Sequence, residues 1–473
     1  PALAFLVFNI LTTWWVKNAS FAGLLVALAV NTFMMTLPFW LFTLTHRKLG
    51  DRIGYFSFVV FWIAMEYFYL NAEISWTWLN LGNGFAYDIR LVQWYEYTGV
   101  LGGTLWVLLV NLLLFFIFRN IRNRSEKKTW YNRIALASTL IIVPIIYSVV
   151  RFGTYKEYEN PYEIVVVQPN IDPYMKFNDV PVGEQLEIYF RIADSLATPQ
   201  TDYIVAPETF VNDNIWLHNI KANKSIQALQ NFSWSYPGAE QVLGITCYGL
   251  YNKDERTATA QHLRDDLYYD SFNTGIQIDT TGQIPYYHKS QLVVGVEKMP
   301  YPKLLGFLRK IMLNLGGTFR SHGEQEYRDT FRNPRDGTRV APVICYESIF
   351  GEYVTEYIKE AGANFIFVIT NDGWWGDTPG YKQHNSFSSL RAIENRRSVA
   401  RSANTGISCF INQKGEVLDS LGWWERGGIK ASLNSNSKLT FYTRHGDYLG
   451  RIAGILFLLI LAYTIFRLFI PGK

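Results

Sequence analysis

Hydrophobic positions follow two different rhythms along this chain. At both ends they run together. Ala2–Val16 is a short apolar run closing on Trp14-Trp15 before Lys17, and Phe21–Thr45 carries no charge until His46-Arg47-Lys48. Ile53–Ala72 holds a single acid, Glu66, and the runs Gly99–Phe118, Ile134–Val150 and Leu449–Phe466 follow. Runs of this kind reach the roughly 20 residues that carry a helix across a bilayer. An aromatic, glycine-bearing loop, Glu73–Phe85, interrupts them and cannot be helical throughout. The chain begins at Pro1 inside an apolar run, so further membrane sequence is expected before it.

Between the ends the pattern changes to short β-rich runs: Glu163–Gln168, Asp202–Ala206, Gln241–Cys247, Thr274–Asp279, Arg339–Cys345, Asn364–Thr370 and Gly406–Ile411. Amphipathic helical stretches alternate with them, at Val182–Leu196, Tyr353–Ala361 and His384–Ala400. That alternation predicts a layered α/β domain. The expected organisation is a membrane helix bundle over 1–154, an α/β domain over 155–445 and one last membrane helix over 446–473. Tyr301–Gly317 stands out within the middle part as basic and amphipathic, too short and too charged to span but suited to a membrane surface.

Charge orients these elements. Lys and Arg crowd into His46–Arg52 and Arg119–Lys128, and Arg467 and Lys473 follow the last run. The positive-inside rule puts all three on the cytoplasmic side, and counting spans then puts the α/β domain on the other face. The net charge of +4 is too mild to call for a nucleic acid partner. The three cysteines, Cys247, Cys345 and Cys409, exclude a disulfide framework. The seven His residues show no ligand spacing, and no glycine-rich phosphate loop stands in the chain. Neither a cofactor nor a metal is expected.

Three polar residues are carried at the ends of apolar strand-like segments: Glu208 in Tyr-Ile-Val-Ala-Pro-Glu, Lys289 in Ile-Pro-Tyr-Tyr-His-Lys and Cys345 in Val-Ala-Pro-Val-Ile-Cys-Tyr-Glu. A thiol, a carboxylate and an ammonium are the parts for covalent acyl chemistry: nucleophile, proton acceptor and oxyanion partner. Each alone has a plain reading beside this one. A Cys among Val and Ile is often inert core, a Glu after a strand often caps a helix, and a Lys near a loop is often solvated. An ammonium fixed near the thiol would favour its thiolate.

Taken together in the order Glu, Lys, Cys, these residues carry a resemblance. Residues 163–412 resemble the nitrilase (carbon–nitrogen hydrolase) superfamily through Val167-Gln168-Pro169-Asn170, Ala206-Pro207-Glu208, His288-Lys289, Ile344-Cys345-Tyr346-Glu347, Thr370–Gly376 and Arg391–Gly406. The resemblance implies an αββα sandwich with a Glu208-Lys289-Cys345 triad. The flanking membrane runs, with Trp78-Leu79-Asn80-Leu81-Gly82 in the aromatic loop, extend the likeness to the bacterial apolipoprotein N-acyltransferase family. That family implies a multi-span membrane bundle with its catalytic domain outside the cytoplasm, in the bacterial inner membrane. It further implies a phospholipid acyl donor, a thioester on Cys345 and a diacylglyceryl-lipoprotein acceptor. By position, Glu297 corresponds to a second glutamate near the site, and Tyr346 and Glu347 match the residues after the nucleophile, Glu347 as a group orienting Lys289.

Two other functions compete. A membrane-tethered amidase would use the same three residues with water as acceptor. A transporter or receptor would use the outer domain only to bind. The multi-span bundle favours transfer over simple hydrolysis, and the few polar residues within the spans write no ion path.

Overall fold

The computed structural model describes residues 1–124, 127–177, 179–298, 300–301 and 322–469. The stretch Tyr301–Gly317 singled out above lies, after Tyr301, outside the described residues. Two compact units result. One takes Pro1–Trp14, Ala22–Tyr155 and Thr440–Lys473; the other takes Trp15–Phe21 and Lys156–Leu439.

The first unit is helical. Among the described residues, four helices are long and apolar enough to cross a membrane: Phe21–Asn71, Tyr95–Arg122, Lys128–Thr154 and Tyr448–Phe469. The first runs for 51 residues, which as one straight rod would far exceed a hydrocarbon core of about 30 Å. Gly50, at φ 76° and ψ −179°, breaks it within the basic stretch His46–Arg52. The chain reverses there, because Phe39 meets Phe58 with ring centroids 4.7 Å apart and Phe42 meets Tyr55 at 5.5 Å. The two sequence runs on either side of Gly50 are thus two helical arms.

The aromatic loop forms short 3₁₀ turns at Thr77–Leu79, Leu81–Phe85 and Ile89–Leu91. Buried Glu66 pins it, accepting from Trp62 Nε1 at 3.0 Å, the Leu81 amide at 2.9 Å and Thr104 Oγ1 at 2.6 Å. Gly82 meets the helix Tyr95–Arg122 so closely that a Cβ would sit 2.0 Å from the Val100 carbonyl oxygen. Gly82→Ala is therefore expected to destabilise this unit by about 1–3 kcal/mol through overpacking. Thermal unfolding in detergent checks it, and an unchanged midpoint would show that the loop yields.

The second unit is built on two sheets. Its strands are β1 (Pro161–Gln168), β2 (Tyr203–Val205), β3 (Val211–Trp216), β4 (Glu240–Asn252), β5 (Gln261–Arg264), β6 (Leu267–Ile278) and β7 (Tyr286–His288). Next come β8 (Phe331–Arg332), β9 (Arg339–Ile344), β10 (Phe365–Thr370), β11 (Val399–Ala403), β12 (Ser408–Ile411), β13 (Val417–Leu421) and β14 (Gly427–Asn434). One sheet has the order β14-β1-β2-β4-β6-β5, with β3 beside β4 and β7 beside β6; the other has the order β13-β12-β11-β10-β9-β8. The strands β9, β10 and β11 are parallel. Phe-Ile-Phe-Val-Ile in β10 is buried along its whole length, as a strand covered on both faces is.

The sheets pack face to face, Tyr203 of β2 setting its ring 5.2 Å from Phe367 of β10. Helices cover the outer faces. Val182–Leu196 and Lys224–Ser233 bury Leu186, Tyr189, Ala193, Ile226 and Leu229 on the first sheet. Gly351–Lys359 and Pro379–Asn395 lie on the second. This is an αββα sandwich, as the resemblance implied. One expectation fails: the helix read over His384–Ala400 ends at Asn395, where Arg396 turns left-handed at φ 49°, and Val399–Ala403 is a central strand. The buried Arg397, donating to the Ala363 carbonyl at 2.9 Å, locks that exit.

Candidate active site

Each of the three residues singled out stands just beyond a strand. Glu208 follows β2 after Ala206-Pro207, Lys289 follows β7 directly, and Cys345 follows β9 directly. A strand end frees the backbone to turn while the sheet holds the side chain's origin. Two of these turns are strained: Cys345 has φ 50°, and Thr209, next to Glu208, has φ 46°. Left-handed backbone at a non-glycine residue persists only where its surroundings enforce it, and it gathers at functional sites. Gly244 on β4 makes room for the Glu208 turn, since a Cβ there would lie 2.5 Å from the Thr209 nitrogen.

Lys289 is buried, with its ammonium 2.8 Å from Glu208 Oε1 and 3.0 Å from the Glu297 carboxylate. Asn273 of β6 bridges the two acids, donating to Glu208 Oε1 at 2.7 Å and Glu297 Oε1 at 3.1 Å. Burial alone would lower Lys289, but the charges of Glu208, Glu297 and Cys345 outweigh it and hold the ammonium well above the usual lysine range. Burial would likewise raise Glu297; Lys289 and His322 reverse that and hold its carboxyl below the usual range. Glu297 thus joins the group around Lys289.

The buried Cys345 thiol feels both charges, and Lys289 pulls it toward the thiolate as the sequence suggested. Lys289 does not win. Burial first, then the Glu208 and Asp372 carboxylates, push the thiol far above its ordinary value against the pull of Lys289 and a hydrogen bond from Thr370. A thiol so placed favours its neutral form, so any chemistry at its sulfur calls for a base.

Glu347 is fully buried and accepts from three tyrosines and two amides. The tyrosines are Tyr287 at 3.0 Å, Tyr353 at 2.6 Å and Tyr357 at 3.0 Å, and the amides are those of Ser290 and Ile344, both at 2.8 Å. Those amides belong to the residues after Lys289 and before Cys345. Glu347 therefore ties two of the three turns together through main chain instead of touching the Lys289 side chain. Tyr346 is buried in the same turn, its ring 5.3 Å from Phe350.

Sequence reasoning missed several groups here. Asn273 sits mid-strand with nothing to mark it. Lys176 is buried with its amine 3.2 Å from the Glu208 carbonyl, and burial draws it down to about 7 against the Glu208 charge. Asp372, His384 and Arg401 form a buried ionic cluster behind Cys345. Cys345, Asp372 and His384 bring their ligand atoms within 4.8 Å of one another. Arg401 already lies 2.7 Å from Asp372, however, and opposes a second cation there.

Comparison with known proteins agrees in both units. A family model described as carbon-nitrogen hydrolase matches residues 244–438, which hold Lys289, Glu297, Cys345, Tyr346 and Glu347, with Glu208 ahead of it. Another, described as apolipoprotein N-acyltransferase N-terminal domain, matches residues 2–113. The apolipoprotein N-acyltransferase of Chlorobaculum tepidum is 27% identical over 470 residues, 96% of this chain and 86% of that protein. That of Geobacter metallireducens is 26% identical over 83% of this chain and 70% of its own, and that of Rickettsia typhi 24% over 96% and 84%. The chain thus joins an apolipoprotein N-acyltransferase N-terminal domain to a carbon-nitrogen hydrolase domain and resembles the apolipoprotein N-acyltransferases over nearly its whole length.

Proposed function

We propose that this protein moves a fatty acyl chain from a membrane phospholipid, through a thioester on Cys345, to the N-terminal amine of a diacylglyceryl-cysteine lipoprotein. The observation that carries the reading is the buried Lys289–Glu208 pair at 2.8 Å, set at strand ends with the thiol of Cys345 under the influence of both charges. In the first half-reaction Cys345 Sγ attacks the ester carbonyl carbon while Glu208 takes the thiol proton. Lys289 meets the oxyanion, and collapse expels the lysophospholipid oxygen, which takes the proton back. In the second, the acceptor amine attacks the thioester, Glu208 takes its proton, and the departing sulfur recovers it. A raised thiol suits this scheme, because the base acts only when an ester is in place.

The four apolar helices among the described residues give such an enzyme the membrane attachment that insoluble substrates demand. The basic stretches at 46–52 and 119–128 and Arg467 support a catalytic domain on the outer face of the inner membrane. The test is intact mass of the protein after incubation with phospholipid vesicles, then with water or a diacylglyceryl-cysteine peptide. A hydroxylamine-sensitive adduct on Cys345, discharged only by the peptide, is expected. An adduct lost to water at the same rate would make the protein a membrane-tethered hydrolase.

A further inference from the structure

Behind the Cys345 turn lies a buried ionic chain that the proposed reaction leaves without a task. Arg401 donates to Asp372 Oδ2 at 2.7 Å, and Asp372 Oδ1 lies 2.8 Å from His384 Nδ1, which Arg401 also reaches at 3.1 Å. The other ring nitrogen, Nε2, lies 3.0 Å from Ser348 Oγ and 3.2 Å from the Cys345 carbonyl oxygen. Ser348 Oγ donates to that same carbonyl at 2.7 Å. Cysteine, histidine and aspartate so close together have the composition of a thiol dyad with its orienting acid. Their geometry is different. The outward ring nitrogen addresses the cysteine's main chain, and the inward one faces Arg401 and the aspartate that Arg401 holds.

We propose that His384 is a positioning residue: with Ser348 it clamps the Cys345 carbonyl, fixing the strained main chain that aims the thiol, while Asp372 and Arg401 fix the ring. The φ of 50° at Cys345 is what the clamp has to sustain. Without it the residue relaxes toward ordinary backbone and its side chain swings away from Lys289 and Glu208. Carrying its proton on Nε2, the ring joins Ser348 Oγ as a second donor on that carbonyl oxygen, while Nδ1 accepts from Arg401. Two donors leave little room for that motion. The same fixation explains why the ring is wholly enclosed, its far side covered by Trp375 at a centroid distance of 5.6 Å. A group that shuttled protons to the thiol would need its nitrogen turned to sulfur.

This inference rests on Cys345 being the nucleophile, and its test separates the two. In the full-length protein, alkylation of Cys345 by iodoacetamide is timed by peptide mass spectrometry across pH, alongside acyl-adduct formation from phospholipid. His384→Ala is expected to slow adduct formation on the order of 10²-fold, the scale of a misplaced reacting atom. His384→Gln, whose amide can reach the same carbonyl, recovers most of it, and the pH profile keeps its shape. A Gln variant as slow as Ala, with a limb of the profile lost, would overturn the proposal in favour of a proton carrier. An unaffected Ala variant would also overturn it. Should His384→Ala fail to fold, Ser348→Ala removes one donor and is expected to slow the adduct roughly tenfold; no change would again overturn it. Wild-type protein that alkylates normally at Cys345 but never forms an adduct would instead defeat the acyl-transfer reading.

Discussion

Cys345→Ala is expected to leave the fold intact and abolish both the acyl adduct and acyl transfer, a loss on the order of 10⁶-fold, as for removal of a covalent nucleophile. No other thiol stands ready to replace it. Cys247 and Cys409 are buried, and burial pushes each up to about 12. Deleting one sulfur from a turn leaves only a small void, so thermal unfolding should move little. Intact mass after phospholipid treatment, with circular dichroism as the folding control, checks both halves. A Cys345→Ala protein that still transfers acyl chains would remove the covalent route altogether.

Lys289→Met carries the second largest expected effect, and it reaches stability as well as rate. The ammonium faces both Glu208 and Glu297 at hydrogen-bond distance, with Lys289 and Glu208 buried and Glu297 half-buried. Removing one member of a buried ionic group leaves the others uncompensated, at a cost of about 3–5 kcal/mol. The pH dependence follows in sign. In the native protein Glu297 is held below its ordinary value, so its contribution is present above the unfolded carboxyl value and fades as acid protonates it. Without Lys289 the main cause of that lowering is gone, burial dominates, and Glu297 prefers to keep its proton. The stability deficit of Lys289→Met should then be largest at neutral and alkaline pH and shrink on acidification. Thermal midpoints from about pH 5 to about pH 8 measure it. A deficit that is constant across that range would mean that the carboxylates have found another partner. Acylation of Cys345 should be lost at every pH, since no ammonium remains to meet the oxyanion.

Much of this candidate site was legible in the sequence because its parts sit where strands stop. Glu208, Lys289 and Cys345 each break an apolar run, and that break is visible without any structure. The helix Val182–Leu196 was legible to the residue, because its apolar spacing is undisturbed by buried charge. Asn273 was not, since a polar residue in the middle of β6 looks like any solvent-facing strand position until the sheet is covered. His384 and Arg401 were hidden for a related reason: they are polar residues enclosed in apolar layers and satisfied by one another, which periodicity scores as surface. Buried Arg396, Arg397 and Arg401 disguised β11 as the tail of a helix in the same way. The direction of the thiol's shift was beyond the sequence too, because it depends on how burial weighs against two carboxylates and one ammonium.

The candidate site is divided between the two sheets of the second unit. Glu208 and Lys289 stand at the ends of β2 and β7 in one sheet, while Cys345 stands at the end of β9 in the other. The first sheet also needs β14, from the far end of the domain, to pair along the whole length of β1. The first sheet can therefore not be completed as its own early strands emerge. The acid–base pair waits on the last strand of the domain to be made, and such non-local pairings close late. Until they do, Cys345 is an ordinary thiol on an unfinished edge, neither shielded by burial nor opposed by Glu208. A newly made chain would thus be most open to oxidation or stray acylation at Cys345 before it is complete, and the closed sandwich is what shields that thiol.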